Sequence, residues 1–498
     1  MTTNEIFYKY QDHELIKAIR EYENLSAMWE AAAEQYADLP AIVDEGKHYT
    51  YSDLNTDIGK FRTVLRQKGL GYRDTVCIMA DKSYDFIKAL LSCVTMGITA
   101  AVFPLHFGSE EIGKFYDKFG AKCILFDDAY SGAVGSFDAG QKVNISETSS
   151  ELTYTFLAYP KEMPCLIMFT GGTLGNSKGA VLSHECVMQG IMNGCYGYNA
   201  VFRQRYMLAL PLYHVLGLIR SVLTPLYTGS EIFINHAAQN LFRDIAVYHP
   251  TIIVIVPMLV ERGLALSKET GRNLFGTEMK YIITGAAPLA PYIAKACAGY
   301  GMTLCMGYGL TETACLVSGN PDMLSKPGSV GPLYPNQEVK IVEDELWLKG
   351  RNLLTRYIDE EENARSFQDG WFRTGDAVRF DEDGFLYIIG RKKEMLLTEN
   401  GENVYPSVVE ERFNALEWVQ ASQLFLAENE EGRRCLALEV FPRTAPGSGD
   451  FTREQMLAEL KKVNEALPKF QRAESIALRE KDFDRTSSLK MIRYPNTI

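Results

Sequence analysis

Short apolar runs alternate with stretches of helical periodicity through most of this chain, and this alternation limits its fold more than any other feature. Thr75–Ala80 predicts a strand, and Ser83–Met96, where apolar residues recur at helical spacing, predicts the helix after it. Further strands are predicted at Lys122–Phe126, Cys165–Thr170, Tyr206–Leu210, Thr251–Val256 and Lys280–Thr284. Because such continuous apolar runs are typical of strands covered on both faces, the pattern predicts an α/β protein of layered sheets and helices.

The pattern changes after residue 335, where hairpins replace the alternation of strands and helices. Asp376–Arg379 and Phe385–Ile389 alternate in polarity and are separated by a turn-like segment. The tail combines a predicted strand at Cys435–Phe441 with a helix that begins at the capping box Thr452-x-x-Gln455 and is ended by Pro468. A chain of 498 residues is too long for one compact core, so we expect at least two domains.

Charge and cysteine usage exclude several classes of protein. The net charge of -12 argues against nucleic-acid binding, and it means that an anionic ligand must be held by local cations or helix N-termini. The ten cysteines are scattered singly, which predicts reduced and mostly buried thiols. No secretory signal opens the chain, and the most apolar run, 251–260, is about half a membrane span and is interpreted as a buried strand. We therefore expect a cytoplasmic protein without a membrane span.

A glycine-rich segment, 169–179, follows one of the predicted strands directly. Its glycines and hydroxyl residues can wrap backbone N–H groups around a phosphate, and Lys178 adds a positive charge. It is not a Walker A loop, because Gly179 rather than Ser or Thr follows the lysine. Taken alone, the segment is equally consistent with a flexible surface loop.

This segment resembles the phosphate loop of the AMP-forming adenylating enzymes, which include acyl-CoA synthetases, beetle luciferases and the adenylation domains of peptide synthetases. Their loop usually reads T-S-G-T-T-G-x-P-K-G, and this chain departs from it at Gly171, Leu174 and Ser177. The matching residues are Thr170, Gly172, Thr173, Gly175, Lys178 and Gly179. The resemblance runs from about residue 25 to 493 and assigns Thr170, Gly171, Gly172, Thr173 and Lys178 to phosphate binding.

Two further motifs resemble the adenine-binding and metal-binding elements of that family. Thr284–Leu289 looks like the turn along one face of adenine, which involves Gly285, Ala286 and Ala287. Met306–Thr313 looks like the element G-Y-G-x-T-E, which assigns Gly307, Tyr308 and Gly309 to nucleotide binding. In that element Tyr308 stacks on adenine, Thr311 contacts phosphate and Glu312 binds magnesium. An aromatic face suits a flat base, and a carboxylate oxygen suits Mg²⁺. Read singly, Tyr308 would be interpreted as a core residue and Glu312 as a solvated surface charge.

The later motifs follow in the family's order. Trp371–Asp376 matches the ribose motif and assigns Asp376 to the ribose hydroxyls, although Thr-Gly-Asp alone is more typical of a turn. The element Gly390–Glu394 assigns Arg391 to ribose and Lys393 to a hinge, and the loop at Gly401 matches the one that admits coenzyme A. The resemblance thus implies a large N-terminal domain, 1–392, of layered sheets and helices plus a β-subdomain, and a small mobile α+β C-terminal domain, 393–498.

Two catalytic residues are also assigned by resemblance. Arg485–Arg493 is similar to the family's last motif, with Leu489 where glycine is usual, and makes Lys490 the catalytic lysine; alone it would be a solvated tail lysine. Pro211–His214 resembles the motif whose histidine borders the substrate carboxylate, although a lone histidine of this kind is more often a core residue. The substrate pocket is expected to involve His214, Val215, Gly217, Gly285 and Met306.

The resemblance implies an enzyme that uses ATP and Mg²⁺ to join a carboxylic acid to AMP and then passes the acyl group to coenzyme A. Catalysis is assigned to Lys490, Thr311, Glu312 and His214. Amino-acid-activating relatives carry an aspartate next to the His214 position, whereas this chain has Val215-Leu216-Gly217 there, which argues against a free α-amino acid. The neighbouring residues are apolar, which favours a fatty or other apolar acid. Two alternatives stay open: a separate acyl-carrier protein as acceptor, and a non-catalytic nucleotide-binding protein, which the departures Leu174, Ser177 and Leu489 favour.

Overall fold

The structure is a computed structural model that describes residues 7, 9, 13–153, 159–170, 178–196, 202–285, 289, 291–399, 401–429, 433–446, 451–485 and 491–494. Its larger part is built on two mixed sheets in which most of the inner strands are parallel. The first sheet has eight strands, in the spatial order Ser318–Asn320, Thr303–Tyr308, Tyr281–Gly285, Ile252–Val254, Arg205–Leu208, Glu231–Ile234, Pro40–Asp44 and Lys47–Thr50. Only the two edge strands run antiparallel to their neighbours.

The second sheet has seven strands and the same mixed character. Its spatial order is Arg356–Tyr357, Lys178–Ser183, Pro164–Thr170, Thr99–Val102, Thr75–Met79, Cys123–Phe126 and Lys142–Asn144. The first two of these strands are antiparallel, and the others pair in parallel.

Helices cover both faces of these sheets, as the continuous apolar runs predict. The α-helices span His13–Ala18, Leu25–Gln35, Tyr51–Gln67, Tyr84–Thr95, Ser109–Phe119, His184–Asn193, Thr224–Tyr227, Leu241–Tyr248, Pro257–Thr270, Pro291–Gly299, Glu360–Ser366, Pro406–Asn414 and Arg453–Ala466. A π-helix spans Leu216–Leu223. Short 3-10 turns span Asp128–Tyr130, Ala139–Gln141, Ala238–Asn240, Thr311–Thr313, Lys392–Glu394 and Lys469–Gln471.

Successive residues of one strand enter different cores, which explains why the strands are apolar throughout. Tyr206 belongs to the core between the two sheets, whereas Met207 belongs to the core on the outer face of the first sheet. Likewise, Ile252 belongs to the core between the two sheets and Ile253 to the core on the outer face of the first sheet. A fully buried strand has no solvent-facing side, so polar alternation would leave unpaired polar groups in one of the cores.

A third sheet forms the predicted β-subdomain. It contains Gln337–Val342, Glu345–Gly350, Trp371–Phe380 and Phe367–Gln368, and Leu386–Arg391 also pairs with Trp371–Phe380. The hairpin expected around residues 376–389 is therefore confirmed. The sheet packs its apolar face on the outer core of the first sheet.

The C-terminal part has a core of its own, formed by residues from Leu396 to Leu478. A three-stranded sheet, Val419–Glu428, Arg434–Pro442 and Ser475–Leu478, packs beside the last two α-helices, and a small hairpin joins Leu396–Leu397 to Asn403–Val404. The capping box is present, because the Thr452 hydroxyl accepts a hydrogen bond from the Gln455 amide. The helix ends just before Pro468, as predicted.

The run 251–260 was interpreted as one buried strand, and the structure corrects this. The strand covers only Ile252–Val254, and the helix Pro257–Thr270 begins inside the run. Proline suits the first helical position, because its fixed φ matches the helix and its missing N–H is not needed there. In the part of the chain that the structure describes, no helix is both long and apolar enough to cross a bilayer.

All ten cysteines are free thiols and all are buried, as their scattered spacing predicted. Burial raises the pKa of several of them, including Cys77, Cys165 and Cys305, well above that of an exposed thiol. These side chains therefore act as small apolar residues of the core.

Candidate active site

Several predicted site residues lie at the carboxyl ends of neighbouring strands of the first sheet. Gly285 ends one strand, and Gly307 and Tyr308 end the next, with Gly285 directly opposite Gly307. His214 lies in the segment that follows the parallel strand Arg205–Leu208, so it leaves the sheet at the same edge. This edge is where open α/β sheets bind their ligands.

Gly309 allows the sharp turn that follows Tyr308. A Cβ atom at this position would lie 1.9 Å from the carbonyl oxygen of Cys315, so any larger residue would displace the backbone. The turn is closed by the amide of Cys315, which donates to the Leu310 carbonyl at 3.2 Å, and by the Leu310 amide, which donates to the Thr313 hydroxyl. Thr311 and Glu312 are partly exposed on this turn.

Tyr308, Asp376 and Arg391 form one polar cluster between the first and third sheets. The Tyr308 hydroxyl donates to Asp376 Oδ2 at 2.6 Å, and Arg391 Nε lies 2.7 Å from Asp376 Oδ1. The side chain of Asp376 is almost fully buried, and Arg391 also donates to the Thr374 carbonyl at 3.4 Å. Burial, reinforced by the Asp376 charge, raises the pKa of Tyr308 well above its usual value, so the phenol stays a donor.

The segment Thr374–Asp376 is not the simple turn that its composition favours. It lies inside the strand Trp371–Phe380, where Gly375 has a φ of 71° and the ladder to Glu345–Gly350 is irregular. Gly tolerates this left-handed conformation without strain. The irregularity is consistent with a bulge that aims Asp376 at Tyr308.

Glu312 is held by a tyrosine that sequence analysis did not single out. The Tyr357 hydroxyl donates to Glu312 Oε1 at 2.6 Å, and the Leu354 amide donates to the Glu312 carbonyl at 2.7 Å. Burial and the Glu312 charge raise the pKa of Tyr357, which keeps its hydroxyl protonated. Tyr357 reaches this place because it pairs with Ala180, at the edge of the second sheet.

Lys178 lies in the same area and has an acidic partner, Glu362, that sequence analysis also missed. The two side chains form an ion pair, and Lys178 Nζ lies 5.7 Å from the centroid of the Tyr357 ring. Thr170 is the ladder partner of Lys178, so the two predicted phosphate ligands at the ends of the glycine-rich segment are adjacent. Gly171, Gly172 and Thr173 lie outside the described residues.

His214 precedes the π-helix Leu216–Leu223, and Val215 caps it. The helix packs closely: a Cβ atom at Gly217 would lie 2.1 Å from the Pro211 carbonyl oxygen. Val215 and Met306 are buried, as expected of an apolar pocket. However, the same helix carries the buried Arg220, which donates to the Tyr206 hydroxyl at 3.4 Å. π-Helices occur often at functional sites.

The C-terminal site residues lie on two separate elements. Lys393 is exposed in the 3-10 turn Lys392–Glu394, and Gly401 is exposed in the connection of the small hairpin, with a φ of 80°. Lys490 lies outside the described residues, as do Ala286 and Ala287. Among the described residues, Arg443 joins the C-terminal part to two helices of the first sheet: it pairs with Glu261 at 2.9 Å and donates to the Tyr292 hydroxyl at 2.7 Å.

Comparisons with known proteins identify the family to which this chain belongs. The sequence profile described as AMP-binding enzyme matches residues 29–358. The indoleacetate–CoA ligase of Aromatoleum aromaticum is 27% identical over 396 residues, which are 72% of this chain and 77% of that protein. The long-chain-fatty-acid–CoA ligase of Yersinia pestis is 27% identical over 456 residues, covering 78% and 80%.

Solved structures give the same fold. The o-succinylbenzoate CoA synthetase MenE of Bacillus subtilis, in complex with its acyl-adenylate intermediate OSB-AMP, superposes with a TM-score of 0.80 at 22% identity, covering 95% of this chain and 98% of that one. The predicted mixed α/β fold with a large N-terminal and a smaller C-terminal part is thereby confirmed. Fold and motifs together define a nucleotide-dependent adenylating protein. The chain belongs to the AMP-binding enzyme family, the AMP-forming adenylating enzymes.

Proposed function

We propose that this chain uses ATP to activate a carboxylic acid as its acyl-adenylate and then transfers the acyl group to the thiol of coenzyme A. As a member of its family it is an AMP-forming acid–CoA ligase. The observation that carries the proposal is the cluster of Tyr308, Asp376 and Arg391 beside the Glu312 turn. It puts an aromatic face, a buried carboxylate and a guanidinium next to a carboxylate of the kind that metals bind.

In this proposal the nucleotide lies along the carboxyl edge of the first sheet. The Tyr308 ring and the backbone around Gly285 would pack against adenine, and Asp376, held by Arg391, would accept hydrogen bonds from the ribose hydroxyls. Lys178, together with Thr170, Thr173 and Thr311, would hold the phosphates. Positioning and charge stabilisation of this kind supply most of the catalysis in phosphoryl chemistry.

The single carboxylate of Glu312 suits magnesium better than a metal ion that is coordinated by several protein side chains. Among the described residues there is no group of three or more His, Cys, Asp or Glu side chains arranged for a metal ion. Magnesium is usually bound by one or two carboxylates together with substrate phosphates. A single oriented carboxylate, with Lys178 close to its tyrosine partner, suits that mode of binding. Glu312 would hold the ion, which would neutralise phosphate charge.

The proposed reaction proceeds in two steps. A carboxylate oxygen of the acid attacks the α-phosphorus of ATP, the bond to the β-phosphate oxygen breaks, and pyrophosphate leaves. The sulfur of coenzyme A, as its thiolate, then attacks the acyl carbon, and the bond to AMP breaks. In the first step Lys490 would neutralise the developing charge, and His214 would border the carboxylate.

We also propose that the boundary between the domains lies at Lys393. Rotation of residues 393–498 about this hinge would withdraw Lys490 and bring the Gly401 loop towards the acyl group. The separate C-terminal core and the exposed position of Lys393 support this division, because a unit with its own core can move as a body.

For the acid, we propose a fatty or other apolar carboxylic acid. The buried Val215 and Met306 support an apolar pocket, and relatives named for indoleacetate and long-chain fatty acids act on acids with apolar bodies. Arg220 places a buried positive charge on the helix after His214, so acids that carry a second polar group belong among the candidates. A separate acyl-carrier protein is the alternative acceptor.

The test is pyrophosphate release from ATP and Mg²⁺ with a panel of acids, each with and without coenzyme A. The panel runs from acetate to palmitate and includes aryl acids, dicarboxylic acids and amino acids. Release that depends on one acid class, with thioester formed only when coenzyme A is present, supports the proposal and names the substrate. Release without thioester supports the carrier protein, whereas ATP binding without release for any acid favours a non-catalytic nucleotide-binding protein.

A further inference from the structure

Arg493, near the end of the chain, joins three parts of the C-terminal region. Its guanidinium is bidentate on Glu410, with Nη1 at 2.7 Å from Oε1 and Nη2 at 2.8 Å from Oε2. Its Nε lies 2.8 Å from Glu394 Oε2. Glu410 belongs to the helix Pro406–Asn414, and Glu394 belongs to the 3-10 turn that contains Lys393. One side chain therefore ties the tail to that helix and to the turn at the proposed hinge.

The buried Glu410 carboxylate requires Arg493 as its counter-ion. The Glu410 side chain is only 5% exposed, and its Oε1 also accepts the Leu424 amide at 2.8 Å. A buried carboxylate without a cation is strongly destabilising, so Glu410 holds Arg493 in a fixed place. The planar, forked guanidinium matches both carboxylate oxygens, a geometry that lysine does not reproduce.

The backbone on either side of the Lys490 segment is fixed as well. Arg485 and Met491 form an antiparallel bridge, and the Ile492 amide donates to the Asp484 carbonyl at 2.8 Å. Arg493 follows Lys490 by three residues in the sequence. After Lys490 in the sequence, Arg493 is therefore the first charged residue whose position relative to the hinge turn is fixed by contacts.

We propose that Arg493 is a positioning residue for the first half-reaction: by linking the tail to Glu394, it makes the described tail residues 491–494, which follow Lys490 in the sequence, move with the hinge turn as one body. The inference rests on the proposed function, because it assigns Lys490 to adenylate formation. A lysine that must meet a phosphate group depends on its backbone anchor, and misplacement of about 1 Å costs on the order of 100-fold in rate. The second half-reaction, in which Lys490 has withdrawn, needs no such anchor.

The test separates the two half-reactions in the full-length protein. Pyrophosphate release is measured with the acid that the panel identifies, and thioester formation is measured from the synthetic acyl-adenylate and coenzyme A. Glu394→Gln removes the charge that links Arg493 to the hinge turn and leaves the buried Arg493–Glu410 pair intact. Arg493→Gln breaks both contacts, and Arg493→Lys keeps the charge. Arg433→Gln is the control, because Arg433 donates from Nη2 to both oxygens of Glu474 in the same region, away from the tail.

We expect Glu394→Gln and Arg493→Gln to lower the turnover of adenylate formation, by on the order of 10-fold and 100-fold, with the KM for ATP and the rate of thioester formation retained. Arg493→Lys should recover part of the loss, and Arg433→Gln should match the wild type. Equal losses in both half-reactions, or none in the first, would overturn the inference. If Arg493→Gln does not fold, Glu394→Gln decides. Failure of the wild type to release pyrophosphate would instead contradict the proposed function itself.

Discussion

The Tyr308 hydroxyl and the Asp376 carboxylate lie 2.6 Å apart, although 68 residues separate them in the sequence. Arg391 occupies the other oxygen of the same carboxylate. A nucleotide ribose would therefore meet a carboxylate that is already oriented and charged, with the aromatic ring beside it. Preorganisation of this kind reduces what binding must spend on ordering the site.

Replacement of Asp376 by asparagine should weaken ATP binding by about 10- to 100-fold, since hydrogen bonds to a charged group contribute about 1.5–3 kcal/mol each. Tyr308→Phe keeps the ring and should weaken binding less. Both are measured as dissociation constants for ATP by calorimetry. If Tyr308→Phe were the more damaging of the two, the hydroxyl rather than the carboxylate would be the nucleotide contact.

Tyr357→Phe should raise the Mg²⁺ concentration needed for half-maximal adenylate formation. The change removes the hydroxyl that orients Glu312, and loss of an outer partner of a metal ligand typically costs about 10- to 100-fold in metal affinity or activity. Magnesium titrations of pyrophosphate release provide the measurement. Tyr387→Phe is the control, because its hydroxyl donates to Asp381, in the turn between two strands of the third sheet. An unchanged magnesium dependence would show that Tyr357 is not needed to orient Glu312.

Glu362→Gln should tighten ATP binding by a few-fold, about 1 kcal/mol or less, because the ion pair with Lys178 is partly exposed. Glu362 pairs with the lysine that phosphate would contact, so removing its charge leaves Lys178 available. Glu361→Gln is the control, since that side chain is 86% exposed and pairs with Arg365 on the surface. Weaker ATP binding in Glu362→Gln would instead make Glu362 a residue that positions Lys178.

Acid should destabilise the protein in part through His184. Burial lowers the pKa of this histidine to about 3, and its Nδ1 accepts the Leu25 amide at 3.4 Å, so the folded protein holds the neutral ring. The unfolded chain binds a proton below about pH 6.5, which gives a stability loss of about 2 kcal/mol between pH 7.5 and 5. The loss begins as pH falls below the unfolded pKa and is complete only below the folded one.

The matching measurement compares the unfolding free energies of the wild type and His184→Asn in urea at the two pH values. The variant should lose less stability on acidification, although it is less stable than the wild type at pH 7.5. Equal losses in the two proteins would assign the acid sensitivity to other groups.

The strands could be predicted because successive residues of one strand face two different cores, so that every residue must be apolar. Residues such as Tyr206 and Met207 must both be apolar, and this requirement appears directly in the sequence. The motif that combines glycines with an aromatic residue could likewise be recognised in the sequence. At Gly309 the backbone approaches the Cys315 carbonyl so closely that no other residue fits.

Tyr357 and Glu362 were missed for a physical reason. Tyr357 belongs to a two-residue strand, too short to show any periodicity, and its place beside Glu312 depends on its register with Ala180. Glu362 occurs in a run of three glutamates that looks like an ordinary solvated helix start. Local pattern cannot show which of them meets Lys178, because that contact spans 184 residues of sequence.

The burial of all ten cysteines has a practical consequence at the bench. A thiolate is the reactive form of cysteine, and these side chains are both shielded and held protonated. A chromogenic disulfide reagent added to the folded enzyme should therefore react with free coenzyme A and hardly at all with the protein. Consumption of the cosubstrate can then be read by adding the reagent to samples withdrawn from the reaction, because the reagent itself traps the free thiol of coenzyme A. A further rise of about ten equivalents of dye per chain would report that the enzyme had unfolded.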